Sequence, residues 1–493
     1  MIAAPIDVID QRLIHRDGSL FIGGAWRSPL EPEMIEVVDP STAQVFARID
    51  GCDSRDVAEG VAAAVNAFQA WGRTSGTERA RYLECFADGL EARRKSLVHL
   101  QMLNNGKPRG EAEIDIADAV ATFRYYAALA ISLDERQGEP VTLPDPQFRG
   151  KTRHEPVGPV GMIVPWNFPL VTSAWKIAPA LAAGCTIVLK TSEHTPLAEL
   201  VYGDIAQNCA LPPGVLNLLT GAAKAGAALT RDHRLAKLSF TGSNQVGRRV
   251  MAAAAERTLP VALELGGKSP IVVLGDCDLD RAVDCIMAGI FFNCGQMCSA
   301  TSRLIVDRRI ADDIMERLVE RASALKVASP FVEGIHMGPL SNAPQAHKVR
   351  SVVEAARARG LVSLVGEVPH PSKGYFVPPI IYRNVPQSDP VWREEIFGPV
   401  LAVRSFEDEE EAVALANDTD FGLVAIVVAG DVERAEALGA RIDAGHIWIN
   451  SEQVIFPQSA WGGFKASGIG RELGPWGLHS FIGVKHLTIG GQG

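Results

Sequence analysis

From about Pro156 the sequence alternates short apolar runs with helical repeats, and it does so twice, which restricts this part of the chain to parallel sheets joined by crossover helices. The first series runs VGMIVPW, SAWKIAPALAAG, TIVLK, PLAELVYGDIAQNCA, VLNLLTG, KLSFTG and VGRRVMAAAAE. The second begins near Ser269 with PIVVLG, followed by a helical stretch from Asp278 to Phe292, SRLIVD at 302–307 and ADDIMERLVERASAL. Two α/β domains are expected, in keeping with 493 residues, more than one hydrophobic core usually organises. Residues 55–132 place apolar side chains at helical spacing and are expected to flank the first sheet. The Pro-, Gly- and Thr-rich stretch RQGEPVTLPDPQFRGKTRHEPVG that follows reads as a linker or an exposed hairpin.

Bulk properties exclude several functions. A net charge of -10 offers no electrostatic footprint for nucleic acid. The first twenty residues carry Asp, Arg and His where an export signal needs an unbroken apolar core. The longest apolar run examined for a membrane span lies between Lys176 and Lys190, contains Pro and Gly, and falls short of the ~20 residues needed. No membrane association is expected. The cysteines at 52, 85, 185, 209, 277, 285, 294 and 298 form no CxxC pair and no Cys/His ligand spacing, so no metal site is expected. Single thiols without an export signal suit a reducing compartment, the cytoplasm.

Four segments carry residues suited to chemistry. FFNCGQMCSATSR sets Cys298 among small residues, although a cysteine taken alone is usually a buried apolar side chain. ELGGKSP offers Glu264 before a Gly-Gly pair, either a partly desolvated base or a solvated loop charge. PWNFP holds Asn167 in a loop stiffened by two prolines, suited to an oxyanion donor or to a plain turn. FTGSNQVGRR puts Gly242 and Gly247 between a strand and a helix, where a dinucleotide phosphate meets a helix N-terminus, though the spacing is neither G-x-G-x-x-G nor a P-loop.

Together, PWNFP, ELGGKSP, GQMCSA, EEIFGPV (394–400) and GFKASGIGRELG (463–474), in this order, resemble the aldehyde dehydrogenase superfamily from about Phe21 to Ile489. The resemblance implies the aldehyde dehydrogenase fold, an α/β architecture with a Rossmann-like NAD domain (1–130 and 150–264), an α/β catalytic domain (265–475) and a small oligomerisation hairpin (131–149 and 476–493). It implies a homodimer or homotetramer acting on a small aldehyde. It makes Cys298 the nucleophile, Glu264 the general base and Asn167 the oxyanion donor, with Lys176 and Glu472 as a proton relay. An aldehyde carbon must become tetrahedral before it releases hydride; thiolate attack achieves this and leaves a thioester for an activated water. Retention of Glu264 favours hydrolysis over transfer to coenzyme A. Retention of all three residues argues against a non-catalytic binding member, and an ester hydrolase working without cofactor is a third reading.

The same resemblance places Lys190 and Glu193 at the adenosine ribose, where a carboxylate accepts both hydroxyls and repels a 2′-phosphate, so NAD is expected. Trp166, Gly226, Gly242, Ser243, Val246 and Leu265 match other cofactor contacts, and Glu395 and Phe397 match those of the nicotinamide ribose. Within the superfamily the chain is most similar to betaine aldehyde and ω-aminoaldehyde dehydrogenases, through CSATSRLIV, WGGFKASGIGRELG and EIDIADAV. An aromatic box of Phe168, Trp175, Phe292 and Trp461, with Asp115 and Asp118 at the entrance, then implies a cationic substrate tail. His446 stands where the family tunes acceptance of a bulky trimethylammonium group, which weighs against betaine aldehyde itself. Cys294, four residues before the nucleophile, suggests a Cys294–Cys298 disulfide under oxidation.

Overall fold

The computed structural model describes residues 6–16, 18–366 and 373–490. Its first sheet has eight strands in the order Ala25–Arg27, Leu20–Ile22, Leu216–Leu219, Thr186–Lys190, Pro159–Ile163, Lys237–Thr241, Val261–Glu264 and Gly468–Ile469. The five central strands are parallel and run 3-2-1-4-5 in chain order, the doubly wound arrangement in which crossovers diverge on either side of the first strand. Thr186–Lys190 is buried at every position, as expected of a parallel strand covered on both faces.

A second, all-parallel sheet contains Ile380–Arg383, Val400–Phe406, Arg303–Asp307, Pro270–Val273, Val424–Val428 and His446–Ile449. The chain passes from the first sheet to the second between Glu264 and Pro270. Two expected boundaries differ from the structure. Gly468–Ile469, assigned above to the second domain, pairs with Leu263 and Glu264 and closes the edge of the first sheet. The helix Arg109–Glu135 runs past residue 131 because no breaker intervenes before Gly138, so the third segment begins later. That segment is a three-stranded sheet in which Ile482–Gly490 pairs along the whole of Phe148–Pro156, with Pro140–Val141 beyond. Residues 1–5 and 491–493, the outer ends of the expected segments, lie outside the described residues.

Arg109–Glu135 is the one helix among the described residues long and apolar enough to cross a membrane by length and composition. Here it is a core helix: it packs against Gly76–Glu91 and Pro169–Ala183, and Glu111 and Asp115 lie on its buried face. The cysteines also depart from expectation. Cys85 and Cys209 form a disulfide, their Cα atoms 6.1 Å apart, because Gly76–Glu91 packs on Val201–Asn208 and brings together residues 124 positions apart. No local spacing announces such a pair.

Glu199 is fully buried and neither of its carboxyl oxygens has a hydrogen-bonding partner among the described residues. Burial pushes its pKa up to about 8. A carboxyl raised in the folded state leaves stability intact below the ordinary carboxyl range and erodes it as pH climbs through that range to about 8. Replacing Glu199 with Gln removes this loss. Chemical denaturation is therefore expected to show E199Q more stable than wild type by a few kcal/mol, on the order of 1.4 per pKa unit, at pH 8.5. The gap should close by pH 4.5. A gap that does not change with pH would show that Glu199 is not buried as a neutral acid.

Candidate active site

The strands Pro159–Ile163 and Lys237–Thr241 lie side by side at the switch point, so the loops leaving their C-terminal ends open a crevice. A cavity of about 720 Å³ begins there. Trp166, Asn167 and Phe168 line it from the first loop; Gly242 and Ser243 from the second; Glu264 and Leu265 from the next strand. The second domain contributes Phe292, Cys298, Glu395, Phe397 and Trp461.

Cys298 lies partly open to this cavity, and burial, followed by the nearby Glu264 and Glu395 carboxylates, pushes its thiol up to about 12. Glu264 is buried, and its Oε2 has no partner among the described residues. Burial, reinforced by Glu472, holds its carboxyl well above the usual range, partly offset by Lys176 and Arg471. Lys176 and Glu472 form a buried ion pair outside the cavity lining. Asn167 donates its amide to the Gln296 carbonyl at 2.9 Å, which ties the first loop to the segment carrying Cys298. Cys294 and Cys298 are both free thiols; Cys294 is buried outside the cavity lining, near Glu111, while Cys298 faces the cavity.

On the opposite side Glu395 accepts the Gly267 N–H at 2.9 Å, and a Cβ on Gly266 would stand 2.3 Å from its Oε2. Only a glycine lets that carboxylate lie against the chain. Phe397, with φ of 61°, packs edge-on against Trp166 at 5.4 Å. Ser243 caps the helix Asn244–Ala255, and Gly247 sits so close to Leu265 that a Cβ would meet Cδ2 at 2.5 Å. Lys190, Glu193, Gly226 and Val246 do not line the enclosed cavity. Lys190 donates to the Gly221 carbonyl at 2.8 Å, pairs with Glu193 at 3.3 Å, and runs its stem past Gly226. Val246 is exposed on the first turn of its helix. An extended ligand starting at Glu395 and following the strand ends toward Glu193 finds carboxylates at both ends and helix N–H groups between, a pattern that fits a dinucleotide with two riboses.

The four aromatic residues assemble as two pairs, Trp175 with Trp461 at 5.4 Å and Phe168 with Phe292 stacked at 6.4 Å. The charged groups around them require correction. Asp115 lines the cavity but is not a free carboxylate: it is buried and paired with Lys107 at 2.5 Å, and the Lys107 ammonium lies 3.5 Å from the centre of the Phe168 ring. Asp118 lines the cavity but accepts the Trp175 indole N–H at 2.7 Å, and burial pushes its pKa up to about 7. His446 does not line the cavity; it packs at a tilt against Trp448 at 4.4 Å and against Trp461 at 6.0 Å. Burial lowers its pKa.

Lys107 and Glu111 escaped the sequence reading. The signal was present: Glu111, Asp115 and Asp118 recur at i, i+4 and i+7, one face of a helix that is otherwise apolar there, and acids on a buried face need partners.

This arrangement, a dinucleotide-type crevice opening onto a thiol, a carboxyl and an amide, defines a cofactor-dependent enzyme with a cysteine at its centre. The profile of the aldehyde dehydrogenase family matches residues 26–487, and the chain belongs to that family. It is 43% identical over 477 residues to a chloroplastic betaine aldehyde dehydrogenase of Beta vulgaris, with 95% of each chain covered. It is 45% identical, with the same coverage, to the peroxisomal aminoaldehyde dehydrogenase 1 of Pisum sativum. Among solved structures, betaine aldehyde dehydrogenase from Staphylococcus aureus in complex with NAD+ superposes with a TM-score of 0.94 at 34% identity, covering 98% of this chain and 97% of that one. The NAD+ complex of aldehyde dehydrogenase from Bacillus cereus gives 0.94 at 36%, covering 97% and 98%. The aldehyde dehydrogenase fold expected from the sequence is therefore the fold observed.

Proposed function

We propose that this protein oxidises a cationic ω-aminoaldehyde to its carboxylate with NAD. The carrying observation is that Cys298, Asn167 and Glu264, from three separate segments, meet in one cavity walled by paired aromatic rings. NAD supplies the hydride acceptor when bound; Trp166, Ser243, Glu395 and Phe397, with Lys190 and Glu193 farther along, are the residues that hold it. The NAD+ complexes of the two bacterial neighbours support this choice. Cys298 adds to the aldehyde carbon, and the oxyanion is shared by the Asn167 amide and the Cys298 main-chain N–H. After oxidation, Glu264 takes a proton from the water that opens the thioester, and the Lys176–Glu472 pair behind it relays that proton outward.

Asp118, with no basic partner among the described residues and with the buried Trp175 and half-buried Phe168 and Phe292 lining the same cavity, supplies the attraction for an ammonium tail. The opposing observation is that Lys107 already neutralises Asp115 and covers one face of Phe168, which favours a broader apolar aldehyde preference. NADH formation with 4-aminobutanal, 3-aminopropanal, betaine aldehyde, hexanal and benzaldehyde decides between them, with NAD and NADP compared on the best substrate. Aminoaldehydes are expected to lead by about tenfold in kcat/KM, and D118N and W461A each to remove that lead, in line with a cation–π and ion-pair contribution of one to two kcal/mol. A lead for hexanal or benzaldehyde overturns the cationic reading and leaves the family unaffected. The long paired strand Ile482–Gly490, with Val484 and Leu487 exposed, is the surface we assign to a homodimer or homotetramer. The free thiols of Cys294 and Cys298 favour a reducing compartment such as the cytoplasm, and the Cys85–Cys209 disulfide is the observation against it.

A further inference from the structure

The main chain just ahead of Cys298 is held in an unfavourable shape. Asn293 and Cys294 both occupy the left-handed region, with φ of 47° and 57°, and Gly295 follows at 71°. Two consecutive non-glycine residues persist there only when their surroundings over-determine them. The Asn293 side chain donates to the Asn167 carbonyl at 3.1 Å and to the Gln296 carbonyl at 3.2 Å, while the Gln296 amide donates back to the Asn293 carbonyl at 2.9 Å. The main-chain N–H of Asn293 takes no part in this ring of contacts. It meets Glu111 Oε2 at 3.0 Å.

Glu111 belongs to the first turn of Arg109–Glu135, a helix of the other domain, and is itself buried. It has no role in the chemistry proposed above. We propose that Glu111 is a positioning residue: by accepting the Asn293 N–H across the domain junction, it holds the left-handed turn that aims Cys298 and Asn167 at the same point of the cavity. The inference rests on Cys298 being the nucleophile. Without the acceptor, a buried N–H goes unpaired and the turn gains a reason to relax toward ordinary backbone. Because Asn293 and Gln296 are both bonded to the Asn167 loop, that relaxation displaces the amide as well as the thiol.

The test compares Glu111→Met, similar in size but without an acceptor, with Glu111→Gln, which keeps one, in the full-length enzyme. Misplacement of reacting groups by about 1 Å costs on the order of a hundredfold, so E111M is expected to lose at least about tenfold in kcat and in the rate of Cys298 alkylation by iodoacetamide. Its KM for NAD should stay within about twofold and E111Q should recover most of both rates, a split that general loosening of the fold would not produce. Wild-type rates in E111M, or an equal loss in E111Q, overturn the proposal. Should E111M fail to fold, Glu111→Asp decides: it keeps the charge but withdraws the acceptor by one methylene, and unchanged alkylation there also overturns it. A Cys298→Ala control separates the two levels. If that variant still turns over, the nucleophile assignment fails; if it is dead while E111M is fully active, only the role of Glu111 fails.

Discussion

Cys298→Ala is expected to abolish NADH formation from every aldehyde tested, by about four orders of magnitude or more, since removing a covalent nucleophile leaves only binding and polarisation. Folding should be unaffected, because the side chain is small and partly open to the cavity. With the thiol pushed up to about 12, only about one molecule in 10⁴ to 10⁵ carries a free thiolate at neutral pH. Cys298 therefore gives up its proton only as it attacks the aldehyde, and the Glu264 charge, the one it feels most strongly, opposes a standing thiolate. Steady-state assays, with intact mass to detect the acyl adduct in wild type alone, check this. Retained turnover in C298A would place the nucleophile elsewhere.

Glu264→Gln is expected to separate two steps that fall together in C298A. Steady-state turnover should drop by about 10²- to 10⁴-fold, the range for losing a general base, while a single-turnover burst of NADH survives because a thioester still forms. The pH dependence follows from the raised carboxyl. Glu264 works as a base only when ionised, and burial holds its pKa well above the usual range, so wild-type turnover should rise with pH over a range above that of an ordinary carboxyl. E264Q should lose that rise. The same negative charge opposes ionisation of Cys298, so at pH 9 iodoacetamide should alkylate Cys298 faster in E264Q than in wild type. Slower turnover together with faster alkylation distinguishes loss of a base from damage to the site. If E264Q shows neither a burst nor faster alkylation, Glu264 is not the group that hydrolyses the thioester.

The local patterns around Asn167, Glu264 and Cys298 each left a bland reading open, and only the five motifs in their order singled the three out; the fold brings them to one cavity, and the alternation of apolar runs and helices corresponds to two sheets with parallel cores. Electrostatic partners were a different matter. Lys107 and Asp115 are eight residues apart, Lys176 and Glu472 nearly three hundred, yet both pairs are buried. Asp115 and Asp118 looked alike in sequence, two acids on one helix, and the fold gave them different tasks: one neutralised by a lysine against Phe168, the other bonded to an indole and facing the cavity.

His446 and Cys294 show the same limit. Neither lines the cavity, although both lie within a few residues of groups that do. Periodicity along the chain reports which positions are buried, because burial follows from the repeat of a helix or strand. It carries no record of which buried groups from distant segments meet. The order of elements, the parallel sheets and the three groups suited to aldehyde chemistry were thus written in the chain. The Lys107–Asp115 pair and the Cys85–Cys209 link exist only once the first domain has folded, and the hydrogen bond from the Asn293 N–H to Glu111 only once the two domains meet, because charge and hydrogen bonding act through space and not along the sequence.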